Sequence, residues 1–92
     1  MIKTYRCKDT EALARGDSPR RFRSFQASAE RKLQMLDVAR TLDDLRVLPG
    51  NRLEKLASDR EGSWSIRVND QWRLCFRFAD GHAYEVEIVD HH

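Results

Sequence analysis

Hydrophobic and polar residues alternate on both sides of a short polar turn in the last third of the chain. Ile66 and Val68 alternate with polar residues before the turn at Asn69-Asp70. After the turn, the apolar positions of the alternation are Trp72, Leu74, Phe76 and Phe78. A period of two residues is typical of strands that bury one face. The sequence therefore predicts a β-hairpin over residues 64–78, around which the rest of the domain is organised.

The polar side of this hairpin carries Arg67, Arg73 and Arg77. Successive side chains of a strand point to opposite faces, so the three guanidinium groups are expected to project together, away from the core. The planar fork of arginine suits phosphate oxygens, which makes a polyanion one expected partner. The alternative is a set of solvated cross-strand pairs with Glu85 and Glu87, which would contribute little stability. The hairpin alone favours this second interpretation, because runs of charge are usually solvated faces.

The first half of the chain is patterned mainly for helices. After a short, imperfect strand over residues 2–6, residues 9–15 predict a short helix that ends at Gly16. A longer helix is expected to begin at Ser18-Pro19, because serine can cap free amides and proline suits the first helical position. It is expected to end near Val38 or Arg40. Its apolar positions recur at spacings of three and four, and they are Phe22, Phe25, Ala29, Leu33 and Leu36.

The opposite face of the long helix is basic. Its charged members are Arg20, Arg23, Arg31 and Lys32. Contact with RNA is one explanation, but a solvated helix face is the commoner one and is the interpretation adopted. A further helical turn is predicted after Thr41, which is placed to cap it, and this turn ends before Pro49-Gly50.

The remaining segments predict strands. Residues 52–56 form a short alternating segment, and a turn at residues 59–62 leads into the hairpin. Gly81 supplies a second turn, and a last strand carries Tyr84, Val86 and Ile88 on one side. Helices followed by a run of strands predict an α+β fold, a mainly antiparallel sheet with helices packed on one face. At this length we expect one domain over residues 1–92.

The distribution of charge limits the function classes. The net charge is +2, but residues 1–32 carry nine Lys or Arg against four Asp or Glu, whereas residues 78–92 carry four acids and no Lys or Arg. Any contact with nucleic acid is therefore expected to be local rather than a general coating.

No apolar run is long enough to span a bilayer, and the amino terminus is charged where a signal peptide would be apolar, so a cytoplasmic protein is expected.

The sequence offers one candidate for chemistry. Cys7 and Cys75 are too far apart for a zinc or redox motif, and no phosphate-binding glycine loop or nucleophile elbow is found, so neither a metal nor a cofactor is expected. The terminal His91 and His92 can exchange protons near neutral pH, and the preceding Asp90 can orient an imidazole.

Next to a row of arginines, these groups suit metal-free cleavage of RNA. A base takes the proton of a 2′-OH, the alkoxide attacks the adjacent phosphate, guanidinium groups stabilise the developing charge, and an acid protonates the leaving oxygen. DNA lacks that hydroxyl and would stay intact. A flexible tail is the simpler explanation for a His-His terminus when composition alone is considered.

Three stretches of the chain are informative together, namely Gly50-Asn-Arg-Leu-Glu, the hairpin run Gly-Ser-Trp-Ser-Ile-Arg-Val-Asn-Asp-Gln-Trp-Arg-Leu-Cys-Phe, and the terminal Val-Glu-Ile-Val-Asp-His-His92. They carry a resemblance to the HigB toxins of the RelE superfamily. The amino-terminal Cys-Lys-Asp-Thr-Glu-Ala-Leu and the helical Ala-Glu-Arg-Lys-Leu extend it over nearly the whole chain. It implies a small RelE-like domain and the toxin of a type II toxin–antitoxin pair, which enters the A site of the 70S ribosome and cuts the messenger RNA there. The implied partner is a helix-turn-helix antitoxin of the HigA kind, through which alone the toxin would meet operator DNA.

The resemblance also implies roles for individual residues. Arg67 and Arg73 correspond to the family's arginines of the Ser-Ile-Arg and Gln-Trp-Arg motifs, and Asp90 and His92 to the acid and final histidine of its terminal motif. Arg77 and Glu54 are further candidate RNA contacts, beside Arg67 and Arg73.

Three positions depart from the family pattern. His91 stands where such toxins usually have tyrosine, Ala57 stands where many have lysine, and Glu54 stands where some have histidine. His91, His92 and Glu54 are therefore all eligible as the base.

Two other functions remain open, namely a binding module that acts through its antitoxin complex with little or no catalysis, and a general RNA-binding protein. The second is disfavoured because the tryptophans and phenylalanines are expected in the core.

Overall fold

The computed structural model describes residues 1–56 and 62–90. The expected turn at 59–62 falls mostly outside this part of the chain, as do Ala57, His91 and His92. The helices are α1 (Lys8–Ala14), a 3₁₀ helix (Arg20–Phe25), α2 (Gln26–Val38) and α3 (Leu42–Arg46). The strands are β1 (Glu54–Lys55), β2 (Ser63–Arg67), β3 (Trp72–Ala79) and β4 (His82–Asp90).

The four strands form an antiparallel sheet in the order β1-β2-β3-β4. Asp80 and Gly81 join β3 to β4 with φ angles of 53° and 78°, the combination that a two-residue hairpin turn of type I′ needs. At the other end of β3, the side chain of Asn69 accepts hydrogen bonds from the backbone of Gln71 and Trp72 and so closes the β2–β3 turn. The two predicted hairpin turns, at Asn69-Asp70 and at Gly81, are thus present.

The helices and one face of the sheet enclose the hydrophobic core. The buried residues of the sheet are Ile66, Leu74, Phe76, Ala83, Val86 and Ile88, and those of the helices include Leu13, Phe22, Ala29, Leu33, Leu36 and Leu45. Since a fully buried side chain of this kind is worth about 1.5–3 kcal/mol, this layer accounts for most of the cohesion between helices and sheet. The α+β prediction with helices on one face is confirmed.

The amino-terminal segment runs along β4 without becoming a regular strand. Ile2 forms an isolated parallel bridge with Ala83, and Tyr5 forms another with Val86. Between them, β4 bulges at Glu85, which has a φ of 53° and whose amide donates to Thr4 Oγ1 at 2.8 Å. The bulge interrupts the ladder, and the expected strand over 2–6 is therefore reduced to two bridges.

The expected long helix is divided at Phe25, where φ is −130° and ψ is 26°. Residues three apart lie on one side of a 3₁₀ helix, so Phe22 and Phe25 can both reach Trp72. Their ring centroids lie 5.8 and 5.0 Å from that of Trp72. The prediction that Ser18 caps this helix was wrong, because no side chain caps it and the Ser18 hydroxyl instead contacts Gln26 Oε1 at 2.6 Å.

Helix α3 begins as predicted at Thr41. The Thr41 hydroxyl accepts from the amide of Asp44, and the Asp44 carboxylate accepts from the amides of Arg40 and Thr41. Hydrogen bonds from the Arg40 amide and then the Thr41 amide lower the pKa of Asp44. This capping box fixes the direction of the chain towards Asn51 and the site.

Candidate active site

Arg67 and Arg73 face each other across β2 and β3. They are opposed residues of the antiparallel ladder, and Val89 of β4 is opposed to Arg73. Arg77 lies four residues further along β3, opposite Ser63 on the same face. Opposed Cβ atoms are about 4.5–5.5 Å apart in such ladders, so Arg67 and Arg73 form a pair of neighbouring cations.

Arg73 does not project into solvent, contrary to expectation. Its side chain is 9% exposed, with Nε donating to Ser65 Oγ at 2.9 Å and Nη2 donating to the carbonyl oxygen of Arg52 at 2.7 Å. Arg52 has a φ of 45°, a left-handed conformation that non-glycine residues rarely adopt. Glu54 Oε1 lies 3.9 Å from Nη1. The fold around Ser65 therefore holds this guanidinium in a fixed orientation.

Arg67 is more accessible and is paired differently. A third of its side chain is exposed, and its Nη2 atom contacts the carboxylate of Asp70 in the β2–β3 turn. The Asp70 side chain is 98% exposed. An exposed pair of this kind contributes little to stability, so an incoming anion can replace the carboxylate at small cost.

Asn51 connects the site to two helices. It is fully buried, its carbonyl accepts from the amide of Arg67 at 2.6 Å, and its Nδ2 donates to the carbonyl of Leu45 at 3.1 Å. Its Oδ1 accepts from the Lys32 ammonium. Burial, followed by the nearby charges of Arg31 and Arg67, lowers the pKa of Lys32. A lysine that the sequence placed on a solvated helix face thus lies near Arg67.

Arg77 forms a solvated pair with a glutamate of β4, which was the alternative expectation for the arginines. Its Nε is 3.9 Å from Glu85 Oε2, and both side chains are about half exposed. Its guanidinium carbon also lies 5.1 Å from the centre of the Tyr84 ring. The bulge at Glu85 brings Tyr84 opposite Arg77, on the arginine face rather than in phase with Val86 as the alternation predicted.

Asp90 occupies the other face of the sheet. It is opposed to Trp72, and its Oδ2 accepts from Gln71 Nε2 at 3.1 Å. β4 ends at Asp90, beside the end of the sheet where Arg67 and Arg73 lie. The candidate residues Arg67, Arg73 and Asp90 thus meet at one end of the sheet, although not on one face.

The sequence did not identify Ser65 or Asn51 as residues that position the site, and it assigned Lys32 to a solvated helix face. Ser65 had a usable signal, since the alternation puts it on the arginine face and β2 is short. Asn51 carried a weaker signal, its place after a Pro-Gly pair and within the Gly50-Asn-Arg-Leu-Glu stretch of the resemblance. Within residues 1–56 and 62–90, no group of three His, Cys, Asp or Glu side chains is arranged to hold a metal ion. No helix in these two stretches is long and apolar enough to cross a bilayer.

Comparison with known proteins identifies close sequence relatives. Residues 13–92 match the family model described as the RelE-like toxin of type II toxin-antitoxin system HigB. Toxin HigB-1 of Vibrio cholerae is 44% identical over 68 residues, which cover 74% of this chain and 72% of the relative. Endoribonuclease HigB of Proteus vulgaris is 39% identical over 61 residues, covering 66% of this chain and 65% of the relative.

A solved structure shows the same fold. The YoeB dimer from Staphylococcus aureus matches with a TM-score of 0.59 and 19% identity, over 99% of this chain and 94% of that one. At this identity the likeness concerns the fold alone, whereas the family match covers most of the sequence. The chain belongs to the HigB-like family of RelE-like toxins of type II toxin–antitoxin systems.

Proposed function

We propose that this toxin is a ribosome-dependent endoribonuclease that cleaves messenger RNA in the ribosomal A site without a metal ion. The proposal is carried by the opposed pair of Arg67 and Arg73, two cations at the end of the sheet where β4 finishes. The next residues in sequence are His91 and His92. The name of the Proteus vulgaris relative, an endoribonuclease, supports the reaction class.

The two arginines divide the work of phosphate stabilisation. Arg67 binds the scissile phosphate by exchanging the Asp70 carboxylate for a phosphate oxygen. Arg73, held by Ser65 and the Arg52 carbonyl, presents its charge without having to reorganise when negative charge develops on the phosphate. Such preorganised donors are worth about 10²–10³ in rate in enzymes that stabilise oxyanions.

Proton transfer falls to the carboxyl terminus and to Glu54. A base removes the proton of the 2′-OH, the 2′ oxygen attacks the neighbouring phosphate, and the bond to the 5′ oxygen breaks as an acid protonates it. His92 acts as general acid or base, Asp90 orients it, and His91 positions the base or shares the proton work. Glu54, whose side chain is 58% exposed and lies near Arg73, is the third candidate base.

Arg77 extends the contact along the RNA backbone. Arg77 lies four residues along β3 from Arg73 on the same face, and its pair with Glu85 is exposed enough to be exchanged. Recognition of RNA rather than DNA follows from the need for a 2′-OH. The ribosome supplies the remaining positioning, and the reaction takes place where messages are translated, in the cytoplasm.

The test is primer extension on a reporter message in a translating extract. Wild type is compared with Arg67→Ala, Arg73→Lys and His92→Ala, and Arg15→Ala serves as the control because Arg15 is exposed at the end of α1. We expect cuts that require translation, that disappear in the three site variants and that persist in the control. Cuts on free RNA without ribosomes would contradict ribosome dependence, and undiminished cutting by His92→Ala would move proton transfer to His91 or Glu54.

A second candidate function is favoured by the pairing of the arginines. Arg73 is buried and hydrogen-bonded, and Arg67 contacts Asp70, so both charges already have protein partners. In this case the domain is a binding module, retained for its complex with a HigA-like antitoxin and for operator control through that antitoxin. It predicts tight antitoxin binding and no cuts at high toxin concentration on programmed ribosomes, so any codon-internal cut would exclude it.

A further inference from the structure

Lys32 is an unusual residue for a helix surface. It lies in α2 and is half-buried, and its ammonium donates to Asn51 Oδ1 rather than to a carboxylate. Asn51 is itself held on two sides, because its side-chain Nδ2 donates to the Leu45 carbonyl and its backbone carbonyl accepts from the Arg67 amide. The fold therefore fixes the position of this ammonium next to β2.

The surroundings of Lys32 are cationic. Arg31 and Arg67 are the charged neighbours that act on it, and both disfavour its protonated form. Among the described residues no carboxylate lies within ion-pairing distance of its ammonium. Asp70 contacts Arg67 but is almost entirely in solvent. A half-buried ammonium near two guanidinium groups is electrostatically unfavourable, and the hydrogen bond to Asn51 brings no negative charge to offset it.

An anion resolves this excess of positive charge. We propose that Lys32 binds a backbone phosphate of the RNA next to the scissile phosphate that Arg67 holds, so that α2 forms one wall of the substrate site. The inference rests on the proposed function for its substrate class. Its geometry rests on Asn51, which is hydrogen-bonded both to the Lys32 ammonium and to the backbone amide of Arg67.

The loss of solvation at Lys32 supports the same conclusion. Burial and the neighbouring arginines lower the pKa of Lys32, and a bound phosphate would reverse the electrostatic part of that shift. Lysine acts here as a point charge, so it can hold this phosphate without fork geometry, while the directional contact of Arg67 is kept for the scissile phosphate.

The experiment measures binding of a short single-stranded RNA whose 2′ positions are methylated, so that it cannot be cut. Wild type, Lys32→Gln, Lys32→Arg and the control Lys8→Gln are titrated at a series of salt concentrations. Lys8 is exposed at the start of α1. Each phosphate contact of a single strand contributes about 0.7 to the slope of log affinity against log salt. We expect Lys32→Gln to lower the slope by about this amount, Lys32→Arg to restore it, and Lys8→Gln to match wild type.

The outcomes separate this inference from the proposed function. An unchanged slope in folded Lys32→Gln overturns the inference, as does a wild type that binds no RNA at low salt. Cleavage on programmed ribosomes is measured in parallel. Wild-type cuts together with a Lys32→Gln variant of equal affinity would leave the proposed function intact and refute the role of Lys32. Binding that depends on Lys32, without any wild-type cuts, would refute the nuclease and leave the phosphate site.

Discussion

Arg67 and Arg73 are opposed on β2 and β3, yet a third of the Arg67 side chain is exposed whereas that of Arg73 is 9% exposed. The difference arises because Ser65 and the Arg52 carbonyl enclose the Arg73 guanidinium, while Arg67 contacts only the solvent-exposed Asp70 among the carboxylates described. Two neighbouring arginines thus differ in their structural role, and substitutions can separate stability from function.

Replacing Arg67 tests function with little effect on folding. Arg67→Ala removes an exposed ion pair, so we expect the free energy of unfolding to change by about 0.5 kcal/mol or less. Cleavage is expected to fall by about 10²-fold, the effect of losing one charge-stabilising donor. Urea unfolding and primer extension measure the two quantities, with Arg15→Ala as the control. A stable variant with full cleavage would remove Arg67 from the site.

Replacing Arg73 affects both properties. Arg73→Ala leaves Ser65 Oγ and the Arg52 carbonyl without their buried donor, so we expect a loss of about 1–3 kcal/mol in the free energy of unfolding. Arg73→Lys retains the charge but cannot reach both acceptors with one ammonium. We expect Arg73→Lys to be folded at room temperature and strongly impaired in cleavage, as measured by urea unfolding and by primer extension on the same preparation. Full activity of Arg73→Lys would show that the fork geometry is unimportant.

The lowered pKa of Lys32 predicts how stability depends on pH. Between its lowered value and the ordinary value of a lysine, the unfolded chain holds a proton that the folded protein has lost, so stability rises with pH. Burial and the charges of Asp37 and Glu11 raise the pKa of Tyr5, which acts in the opposite direction at high pH.

A common background isolates the contribution of Lys32. Urea unfolding of Tyr5→Phe is compared with that of Tyr5→Phe/Lys32→Gln from neutral to alkaline pH. We expect the advantage of the lysine form over the glutamine form to grow with pH. A difference that stays constant would show that the ammonium is not electrostatically penalised in the folded protein.

The capping box of α3 predicts a conventional stability effect. Thr41→Ala removes the acceptor for the Asp44 amide and is expected to cost about 1 kcal/mol, while Thr41→Ser should retain most of it. The lowered pKa of Asp44 means that the folded state favours its ionised form. The contribution of this carboxylate is therefore present above the ordinary pKa of aspartate and is lost as the pH falls through the lowered one.

Asp44→Asn provides the pH test. Its melting temperature is expected to lie below that of wild type at neutral pH and to approach it under strongly acidic conditions. Equal melting temperatures at neutral pH would contradict a stabilising role for the ionised carboxylate.

Local patterns in the sequence were sufficient for most of the fold. The two hairpin turns, the capping box at Thr41 and the core positions of β2 and β3 each depend on residues a few positions apart, whose side-chain chemistry specifies local geometry. The break at Phe25 was not predicted, because it follows from the contact of Phe22 and Phe25 with Trp72, which lies almost fifty residues away.

The sequence by itself determined that three arginines share one face of a hairpin, and its resemblance to HigB toxins predicted the Arg, Asp and His residues of the candidate site. Only the tertiary structure decided which of these charges are buried. Burial of Arg73 depends on the Arg52 carbonyl in the segment before β1, and the place of Lys32 depends on Asn51 linking α2 to β2. Alternation fixes which face a side chain takes, but its environment is set by distant segments that pack against that face.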